Sequence, residues 1–221
     1  MRINQFVAQA SGLSRRAADK AILNNRVTID DHPAALGESV GEHQSVALDG
    51  HRLVLKQKQT LMLNKPPGYV CSRDGQGSKT IYNLLPAELH SLKPVGRLDK
   101  DSSGLLLLTN DGELANRLTH PSFKKTKVYE VSLNKPLKPE DQTLIEQGVE
   151  LDDGPSSLDL SALDTTAQHW RVTMHEGRNR QIRRTFEHSG YRVLGLQRIE
   201  FGEYKLSTLG SGKYIQINQS S

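Results

Sequence analysis

The chain has 221 residues, a formal net charge of +4 and 35% hydrophobic residues, enough for one large domain or two unequal ones around a modest core. Its single cysteine, Cys71, excludes an intrachain disulfide and a cysteine-rich zinc site, and it fits a reducing, cytoplasmic setting. The N-terminus lacks the apolar run of a signal peptide and no stretch approaches a membrane-spanning length, so no membrane partner is expected.

Ile3, Phe6, Val7 and Ala10 follow the i, i+3, i+4, i+7 spacing of a short amphipathic helix, with Gly12 as its cap. Ser14 is placed to cap a second helix reaching about Asn24, with Ala18, Ile22 and Leu23 as its inner residues. Val27-Thr28-Ile29 and the turn Asp30-Asp31 predict a hairpin. Val46-Ala47-Leu48 and Leu53-Val54-Leu55 flank a second turn at Asp49-Gly50. Arg16 and Lys20 are four apart and share a helix face, a spacing that suits either a solvated surface or phosphate contacts.

Leu13 to Ile22, followed by Asn25-Arg26-Val27-Thr28-Ile29-Asp30, resembles the small RNA-binding module shared by a ribosomal small-subunit protein and several RNA-modifying enzymes. The resemblance implies that Arg15, Arg16, Lys20 and Arg26, with Arg2 nearby, form an RNA-binding face. The polar stretch Lys56 to Thr60 reads as a linker, giving a small RNA-binding domain over 1–58 and a second domain over 61–219.

Leu61-Met62-Leu63 starts a strand that the turn Asn64-Lys65-Pro66-Pro67-Gly68 ends, since paired prolines cannot continue a ladder. Tyr69-Val70-Cys71 resumes extended structure, and Thr80 to Leu85 starts a short helix that Pro86 disrupts. The run Leu105 to Leu108 is a buried strand, too short for a packed helix. Before it stands Val95-Gly96-Arg97-Leu98-Asp99-Lys100-Asp101-Ser102-Ser103-Gly104, a charged loop on the lip of that strand, where chemistry is commonly placed. Helices are expected over Glu113–Thr119, Glu140–Gln147 and from Ile182 to about His188, and strands over Val128–Leu133 and Trp170–Met174. Tyr129, Val131 and Leu133 share one strand face. Four arginines lie within residues 178–184, and Arg183, next to a core-type Ile182, points partly inward and needs a carboxylate. The histidines lack ligand spacing. Arg97 and Lys100 crowd Asp99 and Asp101 with positive charge, so no metal is expected.

Asn64-Lys65-Pro66-Pro67-Gly68, Gly96-Arg97-Leu98-Asp99, Lys127-Val128-Tyr129 and Arg180-Gln181-Ile182-Arg183-Arg184, in this order, resemble the pseudouridine synthases. The N-terminal module narrows the resemblance to the RsuA/RluB-type family, which modifies ribosomal RNA. The resemblance implies an α+β chain: a two-helix RNA-binding domain with short strands, then a mixed, mostly antiparallel sheet with flanking helices and a central cleft. It also implies that a uridine in ribosomal RNA, free or in a pre-ribosomal particle, is flipped out and isomerised to pseudouridine. Asp99 would be the essential aspartate, paired with Arg183 as first choice and Arg184 as second. Tyr129 would stack on the base and assist proton removal, and Ile182 would pack beside it. Lys65 and Arg97 would support the loop or touch phosphate, with Lys127 and Arg184 also near substrate. No cofactor is expected for a redox-neutral isomerisation, and the protein is expected to be a monomer. A non-catalytic ribosomal-RNA-binding or ribosome-assembly factor, and a nucleosidase using Asp99 on a sugar, are the alternatives.

Overall fold

The computed structural model describes residues 1–217, so residues 218 and 219 of the expected second domain lie outside it. Residues 1–58 form one compact unit, and the chain from Gln59 onward forms another.

In the first unit, α1 (Ile3–Ser11) buries Ile3, Val7 and Ala8 against α2 (Arg15–Leu23). The Ser14 hydroxyl accepts a hydrogen bond from the Ala17 amide at 3.1 Å, satisfying one of the donors a helix start leaves open. Ala18, Ala21 and Ile22 fill the inner face of α2, which leaves Leu23 one step off that face and 66% exposed, contrary to expectation. Strands β1 (Val27–Ile29), β2 (His32–Pro33), β3 (Val46–Leu48) and β4 (His51–Arg52) form an antiparallel sheet in the order β2-β1-β3-β4. The last strand falls on His51–Arg52 rather than Leu53–Leu55, because the two-residue turn Asp49-Gly50 pairs Leu48 directly with His51.

The second unit is α+β. Strand β5 (Thr60–Lys65) is followed by 3₁₀ turns at Ile81–Leu84 and Ala87–Ser91, then β6 (Lys93–Val95) and β7 (Ser103–Thr109). Helix α3 (Gly112–Thr119), β8 (Lys127–Leu133), α4 (Pro139–Gln147), β9 (Val149–Leu151), β10 (Gly154–Ser156), β11 (Asp159–Ala162) and β12 (His169–Met174) come next. Helix α5 (Gln181–His188), β13 (Val193–Phe201), β14 (Tyr204–Lys205) and β15 (Tyr214–Ile217) complete it. Strand β5 begins at Thr60, inside the expected linker, and runs on through Lys65 to pair with Gly104. Tyr69–Cys71 gains only an isolated bridge, Val70 to Thr80, rather than a strand.

The large sheet has the order β11-β12-β8-β13-β7-β5-β15, with β6 on β7 and β14 on β13. Its pairs are antiparallel except β7 with β13, which makes the sheet mixed. Both faces of β7 are buried, as a continuous leucine run requires. Leu106 and Leu108 enter the core that α4 and α5 close with Ile145, Ile182 and Phe186. Leu105 and Leu107 face Leu114 and Leu118 of α3 and Phe201 of β13. The loop carrying Asp99 is thereby tied to a strand that cannot shift without emptying two cores. No helix among the described residues is long and apolar enough to cross a membrane.

Candidate active site

The loop before β7 is fixed from beneath by Lys65. This side chain is fully buried, and its ammonium donates to the carbonyls of Pro66 at 3.1 Å, Asp99 at 3.0 Å and Ser102 at 2.6 Å. Burial lowers the Lys65 pKa, and Cys71, Asp101 and Asp99 offset part of that. Lys65 therefore supports the loop and has no route to phosphate. The Ser102 amide closes the turn on the Asp99 carbonyl at 3.1 Å, and the Gly68 amide donates to the Lys100 carbonyl at 2.6 Å. Cys71 adds a sulfur contact, donating to the Leu98 carbonyl at 3.3 Å. The main chain on both sides of Asp99 is held, while its side chain stays 34% exposed.

Around this loop the arginines arrange themselves differently from expectation. Arg183 is buried, and its Nη1 donates to the Val193 carbonyl at 2.9 Å and its Nη2 to the Asp101 carbonyl at 3.1 Å. Its Nε lies 3.4 Å from the carboxylate of Asp101, not of Asp99. Arg184 turns away to Asp153 at 2.7 Å in the β9–β10 turn. Among the described residues, the cation within ion-pair reach of Asp99 is Arg180, at 4.0 Å, and the same guanidinium grips Asp101 at 3.1 Å. The physical reason lies in α5. Arg183 sits one residue past buried Ile182 and is drawn into the core, where Val193 fixes it. Arg180 precedes the helix in the left-handed region, φ 47°, which turns it toward the loop. Burial lowers the pKa of Arg183, Asp101 and Asp99 counter this, and Arg180 adds to the lowering.

Tyr129 on β8 is buried in the same apolar cluster as Leu98 and Ile182, the neighbours of Asp99 and Arg183. The fold thus brings Lys65 and Arg183 to the loop that carries Asp99, and puts Ile182 and Tyr129 in the apolar cluster that Leu98 of that loop joins. Arg97 stands on the same loop as Asp99, while Lys127 and Arg184 make their contacts with other segments. Arg97 is exposed, and Lys127 donates to the Glu176 carbonyl at 3.0 Å with its ammonium over the Phe201 ring. In the first unit, Arg26 makes a bidentate pair with Asp49 at 2.8 and 2.5 Å, and Arg2 donates to the Gly37 carbonyl. Arg15 donates to the Gln5 side chain at 2.9 Å. The side chains of Arg16 and Lys20 are exposed and make no hydrogen bond or ion pair with the described residues.

A cleft of about 560 Å³ opens between the Pro67-Gly68 turn, Lys100 and Asp101, Arg180, and the Leu194–Leu196 part of β13. Asp99 stands beside it, next to Lys100 and within reach of Arg180. Leu194 lies at a bulge between Val193 and Gly195 and is 58% exposed on the cleft wall. Bulges commonly re-aim a side chain next to a site. Sequence reasoning missed the parts played by Asp101, Arg180 and Leu194. The spacing Asp99-Lys100-Asp101 was the available signal for the first, and a bulge leaves none. Cations, one apolar wall and a half-open carboxylate suit a ligand that combines phosphate with a flat base.

A family model described as RNA pseudouridylate synthase matches residues 59–188. The chain belongs to this family. An uncharacterized RNA pseudouridine synthase of Aquifex aeolicus (strain VF5) is 37% identical over 226 residues, covering 99% of this chain and 91% of that protein. The ribosomal large subunit pseudouridine synthase B of Bacillus subtilis (strain 168) is 35% identical over 219 residues, covering 96% and 89%. A crystal structure of a pseudouridylate synthase superimposes with a TM-score of 0.72 at 32% identity, covering 99% of this chain and 96% of that one. As an RNA pseudouridylate synthase, this chain has an aspartate on a rigid turn beside a nucleotide-sized cleft.

Proposed function

We propose that this chain isomerises a specific uridine of ribosomal RNA to pseudouridine, with Asp99 as the group that acts on the nucleotide. The observation that carries the reading is Asp99 itself: main chain clamped by Lys65, carboxylate open, and a guanidinium 4.0 Å away. The similarity to a ribosomal large subunit pseudouridine synthase supports the choice of RNA. The N-glycosidic bond breaks, the uracil turns, and C5 rejoins the ribose. Atoms and electrons balance within one nucleotide, so no donor, acceptor or cofactor enters the equation. Asp99 acts in its ionised form as nucleophile or base, and the nearby guanidiniums offset the cost of desolvating it. Tyr129 stacks on the base and assists removal of the C5 proton, with Ile182 packed beside it.

The target base leaves its stack at a cost of about a few kcal/mol, which backbone contacts offset. Residues 1–58 are the RNA-binding domain in this reading, and the chain from residue 61 to 219 is the catalytic one. The exposed cations Arg16 and Lys20, with Arg15, are the groups best placed for RNA in the first domain. The protein works as a cytoplasmic monomer on ribosomal RNA or a pre-ribosomal particle.

The test is Asp99→Asn, followed by pseudouridine mapping in ribosomal RNA and by RNA binding. Loss of modification with binding retained is expected. Modification at the normal rate overturns the assignment of Asp99, and release of free uracil by the unaltered protein points to a nucleosidase.

A further inference from the structure

Phe123 stands outside the apolar clusters of the second unit and is 48% exposed. A lone exposed hydrophobic residue is ordinary, but this one is held out on a rigid turn among cations. Helix α3 runs into a 3₁₀ turn at Pro121–Phe123. The His120 side chain accepts from the Ser122 amide at 3.3 Å and bonds the Ser122 hydroxyl at 2.8 Å. The Phe123 amide donates to the His120 carbonyl and the Lys124 amide to the Pro121 carbonyl, both at 3.1 Å. Lys124 closes the turn in the left-handed region, φ 41°. The Phe123 ring meets the His120 imidazole edge-on, with 6.3 Å between centroids and 75° between planes, so the two rings do not cover each other face to face. Short-range bonds of the turn, and not burial, fix where the ring stands.

The surroundings are cationic. Between Glu113 and Glu130 the chain has Arg117, Lys124, Lys125 and Lys127 and no Asp or Glu. Lys127 is committed to carbonyls, and Lys125 reaches Glu203 at 3.7 Å. The side chains of Arg117 and Lys124 are exposed and make no ion pair with the described residues. We propose that Phe123 is a stacking platform for an unpaired nucleobase flanking the target uridine, with Lys124 and Arg117 on the phosphates of the same strand. This rests on the reading of RNA as the substrate given above. An exposed aromatic ring flanked by cations matches a strand that alternates flat bases with phosphates. A purely apolar partner would leave the cations without a role.

The turn adjoins the loop that carries Asp99. Thr119, at the end of α3, lies against Gly96: its Cγ2 is 3.8 Å from where a Cβ on Gly96 would stand. Chain reach, at most ~3.6 Å per residue, then keeps Phe123 and Asp99 within roughly 30 Å of each other, a span that a short RNA segment covers. On its other side the turn leads straight into β8 and Tyr129, and the Gly202 amide holds that end by donating to the Thr126 carbonyl at 2.8 Å. A ring already fixed in place loses little freedom when a base stacks on it. Bases paired within a duplex have no face to offer, so the platform selects loops and single strands.

The experiment measures, by fluorescence anisotropy, binding of a labelled oligouridylate and of an RNA duplex of equal length to the unaltered protein, Phe123→Ala, Phe123→Leu, Phe123→Trp and Lys124→Gln. Phe123→Ala and Phe123→Leu are expected to weaken oligouridylate binding on the order of tenfold and to leave duplex binding unchanged, while Phe123→Trp binds at least as well as the unaltered protein. Lys124→Gln is expected to reduce the salt slope for the single strand by about 0.7, and Phe123→Ala to leave that slope alone. On ribosomal RNA, Phe123→Ala raises KM with kcat almost unchanged, since the ring does not touch the reacting nucleotide. The urea midpoint of Phe123→Ala is expected to match that of the unaltered protein; a lowered midpoint places the ring in the fold and overturns the proposal. Unchanged oligouridylate binding by Phe123→Ala, an equal loss on the duplex, or Phe123→Leu binding as well as Phe123→Trp, the mark of a merely apolar contact, would each overturn it too. Unaltered protein that makes no pseudouridine, or an active Asp99→Asn, with these binding differences intact, would instead sink the underlying reading.

Discussion

The ammonium of Lys65 and the main-chain carbonyl of Asp99 are joined by a 3.0 Å hydrogen bond inside the protein. A buried lysine thus holds the backbone of the candidate catalytic residue without touching its carboxylate. Charge is used here to satisfy carbonyls that the sharp Asp99–Ser102 turn leaves without strand partners.

Replacing Lys65 with Met keeps the volume and removes the donors. Three carbonyls are then left without this partner, at an expected cost of about 3 kcal/mol in stability. Urea titration measures the change, and activity is expected to fall even where the variant is fully folded, because the turn loosens.

Asp101 links stability to pH. Burial alone would raise its pKa, but the Arg180 hydrogen bond and the charges of Arg183 and Arg180 outweigh it, and the folded-state pKa lies below 3.8. A depressed carboxylate stabilises the fold above its unfolded pKa and loses that contribution as pH falls through the folded one. The difference in unfolding free energy between the unaltered protein and Asp101→Asn is therefore expected to shrink as pH drops below 3.8. A gap independent of pH would contradict this.

Gly104 sits where β7 meets β13. Its φ is +102°, and a Cβ there would lie 2.2 Å from the Arg198 carbonyl oxygen and 2.7 Å from its nitrogen. Both obstacles are backbone, so neither can rotate away. Gly104→Ala is expected to cost on the order of 2–4 kcal/mol, seen as a lowered midpoint in denaturant.

In the first unit, the structure separates cations that look alike in sequence. Arg26 is engaged by Asp49 in an exposed, solvent-screened pair, whereas the side chains of Arg16 and Lys20 are unattached among the described residues. Reversing the charge of Arg16 and Lys20 is expected to weaken RNA binding. Its salt dependence should flatten by roughly 0.7–0.9 in slope for each phosphate no longer neutralised. Arg26→Gln is expected to change both far less. Filter-binding titrations at several salt concentrations read the difference.

The elements of this chain were legible wherever the signal is local. The spacing of Ile3 and Val7, the Ser14 cap, the Leu105–Leu108 run and the alternation along β8 each depend on residues within a few positions of one another. The four short motifs also pointed to the family, because each preserves a residue type at a fixed offset. Leu23 and the Leu53–Leu55 segment misled because hydrophobicity alone does not set phase: the register of a two-residue turn and the rotation of a helix do.

The partners of charges were not legible. Sequence placed Arg183 inward and required a carboxylate for it, and both hold, but it could not tell Asp99 from Asp101, two positions apart on one loop. That choice depends on where β13 anchors Arg183 and on the left-handed turn at Arg180, both set by packing between segments distant along the chain. The sequence by itself determined the elements, the family and the acidic loop, since these follow from local pattern and residue type. Only the tertiary structure decided which arginine faces which aspartate, because ion pairing is settled by ångström distances that no spacing along the chain encodes.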